Sequence, residues 1–172
     1  MPELVPVLDR EDILRMTTAM AERLSSDYQG KDVVMVGVLK GAFLFLADLV
    51  RALTIPVRIE FIRAASYGSG TETSGCVTLE KEHPMDLAGK DVVIVEDIVD
   101  TGLTLQSIVA HFQSLGAASV KVCTLLDKRA RRRVSIEADY ACHDADDAFL
   151  VGYGLDYDES YRELPGIYQL QF

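Results

Sequence analysis

Two short runs, Val33 to Val38 and Val92 to Val95, contain no polar side chain, and only Gly37 interrupts them. A strand with one wet face alternates polar and apolar residues, so runs of this kind mark strands covered on both faces. Such strands belong to a sheet sandwiched between helices, and the chain supplies helices in alternation with them. Asp9 has the character of an N-cap, with Glu11 and Asp12 at the positive end of a helix whose apolar stripe is Ile13, Met16, Met20 and Leu24. Gly41 opens a largely apolar helix to about Leu53, closed by Thr54 and Pro56. Leu105, Ile108, Val109, Phe112 and Leu115 form a further helical stripe, ended by Gly116.

Other segments complete the pattern. Val57, Ile59 and Phe61 alternate with Arg58 and Glu60, the mark of a strand with one wetter face. Val120 to Leu126 reads as a third sheet strand, Phe149 to Tyr153 as a fourth, and Cys76 to Lys81 as a short exposed one. Between them, residues 66–76 (SYGSGTETSGC) form a small, polar, glycine-rich loop of unusual length. The expected fold is a single α/β domain over residues 1–172, with a mostly parallel sheet and helices on each side.

In sheets of this type ligands bind beyond the carboxyl ends of the strands. Residues 92–105, VVIVEDIVDTGLTL, occupy such an end. The strand runs into Glu96 and Asp97, then Asp100-Thr101-Gly102, and a helix follows. Free backbone N–H groups and the helix dipole at that start attract anions. Gly102 lets the backbone approach a phosphate, while Thr101 and Thr104 add hydroxyl donors. This is not a Walker A loop, because no GxxxxGK[ST] is present. Acids beside a phosphate site suit a ligand that carries hydroxyls or magnesium next to its phosphate. Ribose phosphate fits. Glu96 and Asp97 can accept from a vicinal diol, directly or through a hydrated Mg²⁺. Both acids converge on the ligand, on this reading, because the chain is leaving the strand at that point.

VVIVEDIVDTGLTL resembles the phosphoribosyl-pyrophosphate motif of the type I phosphoribosyltransferases. From about Val36 to Arg162, through LKGAFLFLADL, FIRAASYGSG, LLDKR and FLVGYGLDYDESYREL, the chain is similar to the purine-salvage branch, the hypoxanthine-guanine phosphoribosyltransferases. The resemblance implies a central, mostly parallel twisted sheet flanked by helices, with a core of about residues 30–155. A small hood would come from the N-terminal segment and about residues 156–172. It implies a Mg²⁺-dependent transferase that joins a 6-oxopurine to 5-phosphoribosyl-1-pyrophosphate.

Site roles follow from the same resemblance, position by position. Glu96 and Asp97 would hold the ribose hydroxyls or a magnesium-bound equivalent, and Asp156 a second magnesium through water. Asp100 would be the general base or acid at the purine. Asp100, Thr101, Gly102, Leu103 and Thr104 would cradle the 5′-phosphate. Lys40 and Gly41 would form the pyrophosphate loop, where the family has a non-proline cis peptide before the lysine, and Arg162 would also contact pyrophosphate. Ser66 and Tyr67 would begin a mobile lid. Lys128 would donate to O6 of the base, Phe149 would stack on it, and the backbone of Leu150 would read its edge.

Composition bounds the alternatives. With 17 Lys and Arg against 27 Asp and Glu, the formal net charge is −10. That disfavours an RNA-binding attenuation regulator on the same fold, which would want a basic face. The arginines of Arg129 to Arg133 then read as a solvated face. A xanthine or pyrimidine transferase is the nearer alternative. Cys76, Cys123 and Cys142 are odd in number and lack CxxC spacing, as expected of reduced core thiols in a cytoplasmic protein. His83, His111 and His143 have no spaced partner and read as ordinary surface or core residues. No signal-peptide core opens the chain, and Ala42 to Val50 is too short to span a membrane. The expected partners are small-molecule substrates and further copies of the chain, as a homodimer or homotetramer, with no nucleic acid and no membrane.

Overall fold

The computed structural model describes residues 2–66, 77–80 and 84–172. Six strands form the main sheet, in spatial order β4-β3-β2-β5-β6-β7. These are β2 (Val33–Leu39), β3 (Val57–Ser66), β4 (Val77–Glu80), β5 (Asp91–Val99), β6 (Ser119–Asp127) and β7 (Tyr140–Asp144). All neighbours run parallel except β3 and β4.

The apolar runs divide their side chains by alternation, as strand geometry requires. Met35, Val93 and Val95 join one core with α1 (Arg10–Asp27) and α2 (Phe43–Ala52). Val34, Val36, Val92 and Ile94 join the opposite core with α3 (Leu103–Ser114). Two buried layers therefore lie on either side of the sheet, and the strand ends between them are fixed. No helix among the described residues is long and apolar enough to cross a membrane.

A second, three-stranded sheet is antiparallel, in the order β1-β9-β8, from β1 (Glu3–Leu8), β8 (Leu150–Val151) and β9 (Ile167–Gln171). Here the structure departs from the sequence reading. The apolar run at Phe149 to Tyr153 is not a fourth strand of the main sheet. Only Leu150 and Val151 are extended, and they pair with β9. The run breaks at Gly152 and Gly154, at φ +98° and +97°, where a side chain would collide with the carbonyls of Gly166 and Gly41. The main sheet's outermost strand is instead β7, which the sequence reading left unassigned.

Candidate active site

The loops after β2, β5 and β6 open side by side at one edge of the main sheet, since these strands are adjacent and parallel. A cavity of about 270 Å³ lies there, lined by Glu96, Asp97, Asp100, Thr101, Gly102 and Thr104, with Val38 and Ala64.

Glu96 and Asp97 reach this cavity by a route that corrects the sequence reading. The chain does not leave the strand at these residues, because β5 continues to Val99. Glu96 still pairs across to Thr124 of β6, and Ile98 to Leu126. On the other side the ladder with β2 has already stopped at Gly37 and Val95. One flank of β5 is thereby uncovered, and both acids border the space it leaves. Asp97 presses against Gly41 so closely that a Cβ on that glycine would lie 1.7 Å from its Oδ2. Gly41 is required by Asp97, a constraint invisible in the linear sequence.

Both residues keep some exposed surface, but their carboxyl groups lie deep in the cleft. Burial pushes the Glu96 carboxyl well above the usual carboxylate range, with the charge of Asp97 adding to it. Burial likewise pushes Asp97 up to about 6, opposed by the Ile98 N–H and by the more distant positive charge of Arg162. The Ile98 N–H donates to Asp97 Oδ1 at 2.7 Å. Among the described residues no lysine or arginine pairs with either acid.

At the next loop, α3 begins without a side-chain cap and without an acid in its first turn. The contrast with α1 is direct: Asp9 and Asp12 close that helix with a reciprocal capping box. The N–H groups at the start of α3 are left facing the cavity side, where an anion would satisfy them. Gly102 sits at φ +83°, and a Cβ there would meet Ile136 Cγ2 at 2.7 Å. Its glycine is dictated by the turn and by the packing of residues 132–136 beneath it. Leu103 donates its N–H toward Thr101 Oγ1 at 3.4 Å.

The segment after β6 holds this turn in place. Lys128 N–H donates to the Val99 carbonyl and Arg133 N–H to the Thr101 carbonyl, each at 2.9 Å. Arg132 donates to the Asp100 carbonyl at 2.8 Å and grips Asp127 with its other nitrogen. Arg129, Arg131 and Arg133 are exposed, as a solvated face requires, but Arg132 is not. Arg132 is nearly buried, and Arg129 and Arg131 pair with Asp127, Asp144, Asp100 and Asp147. Nothing in the linear sequence distinguished Arg132 from its neighbours, and Asp127 lay in an apolar strand with no marked partner.

Lys128 is buried, and its Nζ donates to the Ala148 carbonyl. That contact brings it beside Phe149, which is half-exposed and flanked edge-on by Tyr157 at 5.6 Å and Phe172 at 6.3 Å. Leu150 opens β8 directly behind it. On the opposite side of the cavity the Leu39–Lys40 peptide is cis. Lys40 Nζ pairs with Glu159 at 2.7 Å, and Arg162 pairs with Asp156 at 3.0 Å while donating to the Gly154 carbonyl at 2.7 Å. Gly154 in turn packs on Gly41. The structure thus gathers Lys40, Gly41, Asp156 and Arg162 in one group, Glu96 to Thr104 in a second, and Lys128, Phe149 and Leu150 in a third. Ser66 ends β3, and Tyr67 with most of the expected lid lies outside the described residues.

The donor set suits magnesium in one manner only. Among the described residues no three acids, histidines or cysteines converge as a protein-only cage. Mg²⁺ is commonly held by one or two carboxylates together with substrate phosphates and waters, and the adjacent Glu96 and Asp97 at the cavity fit that manner.

Residues 7–158 match the phosphoribosyl transferase domain family. The hypoxanthine-guanine phosphoribosyltransferase of Streptococcus thermophilus is 44% identical over 159 residues, 92% of this chain and 88% of its own. That of Aquifex aeolicus is 43% identical, over 96% of this chain and 93% of its own. Among solved structures, hypoxanthine phosphoribosyltransferase from Staphylococcus aureus superposes with a TM-score of 0.93 at 43% identity, covering 96% of this chain and 90% of that one. A mutant of the Trypanosoma cruzi enzyme in a ternary substrates complex superposes with a TM-score of 0.92 at 42% identity, over 99% of this chain and 96% of that one.

Proposed function

The chain belongs to the phosphoribosyl transferase domain family, and from that premise we propose that it transfers the 5-phosphoribosyl group to hypoxanthine or guanine. The bond from C1′ to the pyrophosphate oxygen breaks, a bond from C1′ to N9 of the base forms, and the base loses one proton. The products are IMP or GMP and pyrophosphate, the chemistry of purine salvage. One observation carries the reading. Two desolvated acids, neither in an ion pair among the described residues, adjoin an uncapped helix N-terminus, which is the complement of a vicinal diol beside a phosphate.

Each group of residues has a task. The N–H groups and hydroxyls from Thr101 to Thr104 receive the 5′-phosphate, and Glu96 and Asp97 accept from the ribose hydroxyls. Lys128 donates to O6, Phe149 stacks on the ring, and the Leu150 backbone meets its edge. Asp100 takes up the purine proton, a contribution typically worth about 10²–10⁴-fold in rate. Lys40 and Arg162, held by Glu159 and Asp156 in this structure, exchange those acids for the departing pyrophosphate and stabilise its charge. Glu96 and Asp97 would hold a Mg²⁺ and Asp156 a second one through water, and such ions would supply positive charge to offset that of the leaving group.

The net charge of −10 and the pairing of Arg129, Arg131 and Arg132 with acids favour this reading over a nucleic-acid-binding one. Exposed Phe43, Ile59 and Phe61 offer apolar surface to a second copy, and a homodimer or homotetramer is the proposed assembly. The assay that tests the activity supplies hypoxanthine, guanine, xanthine, adenine and uracil in turn with 5-phosphoribosyl-1-pyrophosphate and Mg²⁺. Hypoxanthine and guanine should be consumed with release of pyrophosphate. Preferred turnover of adenine or uracil would overturn the assignment.

A further inference from the structure

We propose that Arg131 is a positioning residue for the base-side chemistry, orienting the Asp100 carboxylate and tying its loop to the loop that carries Phe149. The inference rests on the reading of Asp100 as the group that handles the purine proton.

Asp100 borders the cavity, but its Oδ1 is turned inward, buried and without a hydrogen-bond donor. A buried carboxylate oxygen in that position is unfavourable unless positive charge offsets it. The Arg131 Nε lies 3.2 Å from it, at ion-pair distance without the alignment of a hydrogen bond. With Oδ1 held inward by that charge, the other oxygen is the one left to meet the base.

Arg131 has a second partner. Its Nη1 lies 3.5 Å from Asp147 Oδ1. Asp147 immediately precedes Ala148, whose carbonyl accepts from Lys128, and Phe149 follows. One guanidinium thus bridges the acid of the phosphoribosyl loop and the loop that presents the base contacts. The neighbouring Arg132 does different work, since it holds the Asp100 main chain and Asp127. Two consecutive arginines secure one aspartate, Arg132 by its backbone and Arg131 by its side chain.

The test is a double-mutant cycle in steady-state kinetics with hypoxanthine and 5-phosphoribosyl-1-pyrophosphate. Arg131→Ala should lower kcat about tenfold, a fraction of the roughly 10²–10⁴-fold that proton transfer itself contributes. KM for the phosphoribosyl donor should stay near wild type, and Arg131→Lys should recover part of the loss by restoring charge. In an Asp100→Asn background, Arg131→Ala should cost nothing further, because there is no carboxylate left to orient. Asp147→Asn should raise KM for hypoxanthine by about two- to fivefold, the worth of a partly exposed ion pair, with kcat kept. The proposal is overturned if Arg131→Ala lowers kcat by the same factor in both backgrounds, or leaves kcat unchanged. Near-wild-type turnover of Asp100→Asn alone would instead overturn the role of Asp100, and the proposal with it.

Discussion

Along the ladder between β5 and β6, Asp127 lies opposite Val99 and Glu96 lies opposite Thr124, yet the acids of these two places are treated differently. The Asp127 carboxylate is buried and gripped by Arg132, with Arg129 at 3.3 Å. The carboxyl groups of Glu96 and Asp97 lie deep in the cleft beside each other and meet no such partner among the described residues. The cations repeat the contrast: Arg132 closes on carboxylates, whereas among the described residues buried Lys128 finds only a carbonyl. A buried charge that is matched inside the protein serves the fold. One that is left unmatched keeps its interaction for a ligand, at some expense in stability.

The largest effect should come from opening the closed set. Arg132→Ala leaves Asp127 as an uncompensated buried charge and frees the Asp100 carbonyl, so urea unfolding should show a loss of about 3–5 kcal/mol. A loss below about 1 kcal/mol would place Arg132 with ordinary surface arginines.

Opening the unmatched set should instead change chemistry. Lys128→Ala should leave the unfolding midpoint near wild type and reduce kcat/KM for hypoxanthine about ten- to a hundredfold, since hydrogen bonds from charged groups are worth roughly 1.5–3 kcal/mol. Adenine presents an amino donor where O6 would be, so its rejection should relax in the same variant. An unchanged ratio of hypoxanthine to adenine would remove Lys128 from base selection.

These contrasts were only partly legible in the sequence. VVIVEDIVDTGLTL could be read because strand, acids, turn and helix start are contiguous, so their proximity needs no tertiary information. The third β-strand of the apolar pattern, at Val120 to Leu126, was equally legible. Arg132 was not, because its burial depends on residues 128–133 folding under the Gly102 turn, and an arginine run looks solvated until that happens. Gly41 looked like a helix opener, but its reason is the Asp97 carboxylate from a distant strand. Tyr140 to Asp144 is too short and mixed to announce β7, and Pro6 obscures β1 in the N-terminal segment. The misassigned run at Phe149 to Tyr153 had the composition of a core strand. Positive φ at Gly152 and Gly154, demanded by the carbonyls of Gly166 and Gly41, cuts it to two residues.

A smaller effect concerns pH. The folded value of Asp97, about 6, stands above the ordinary aspartate value near 4, and Glu96 is raised in the same direction. The unfolded chain therefore ionises first. Stability from Asp97 is present below about pH 4 and is lost as the pH rises through about 6, and the raised Glu96 carboxyl acts in the same direction. Urea unfolding without ligand should show wild type falling behind Asp97→Asn between those values. A constant difference between the two proteins across that range would mean that Asp97 is not desolvated as described.

The most direct test of unmatched acids reserved for a ligand is a set of thermal melts at neutral pH, of wild type and Asp97→Asn, with and without 5-phosphoribosyl-1-pyrophosphate and Mg²⁺. Asparagine keeps the oxygen that accepts from Ile98 N–H and removes the charge. The variant alone should melt higher than wild type, by roughly 2–4 °C for each kcal/mol of relieved desolvation. Donor and Mg²⁺ should raise the wild-type Tm strongly, by about 2.7 kcal/mol of stability at a hundredfold excess over Kd, and the variant much less. Equal ligand-induced shifts in the two proteins, or an unliganded variant that melts lower than wild type, would contradict the account.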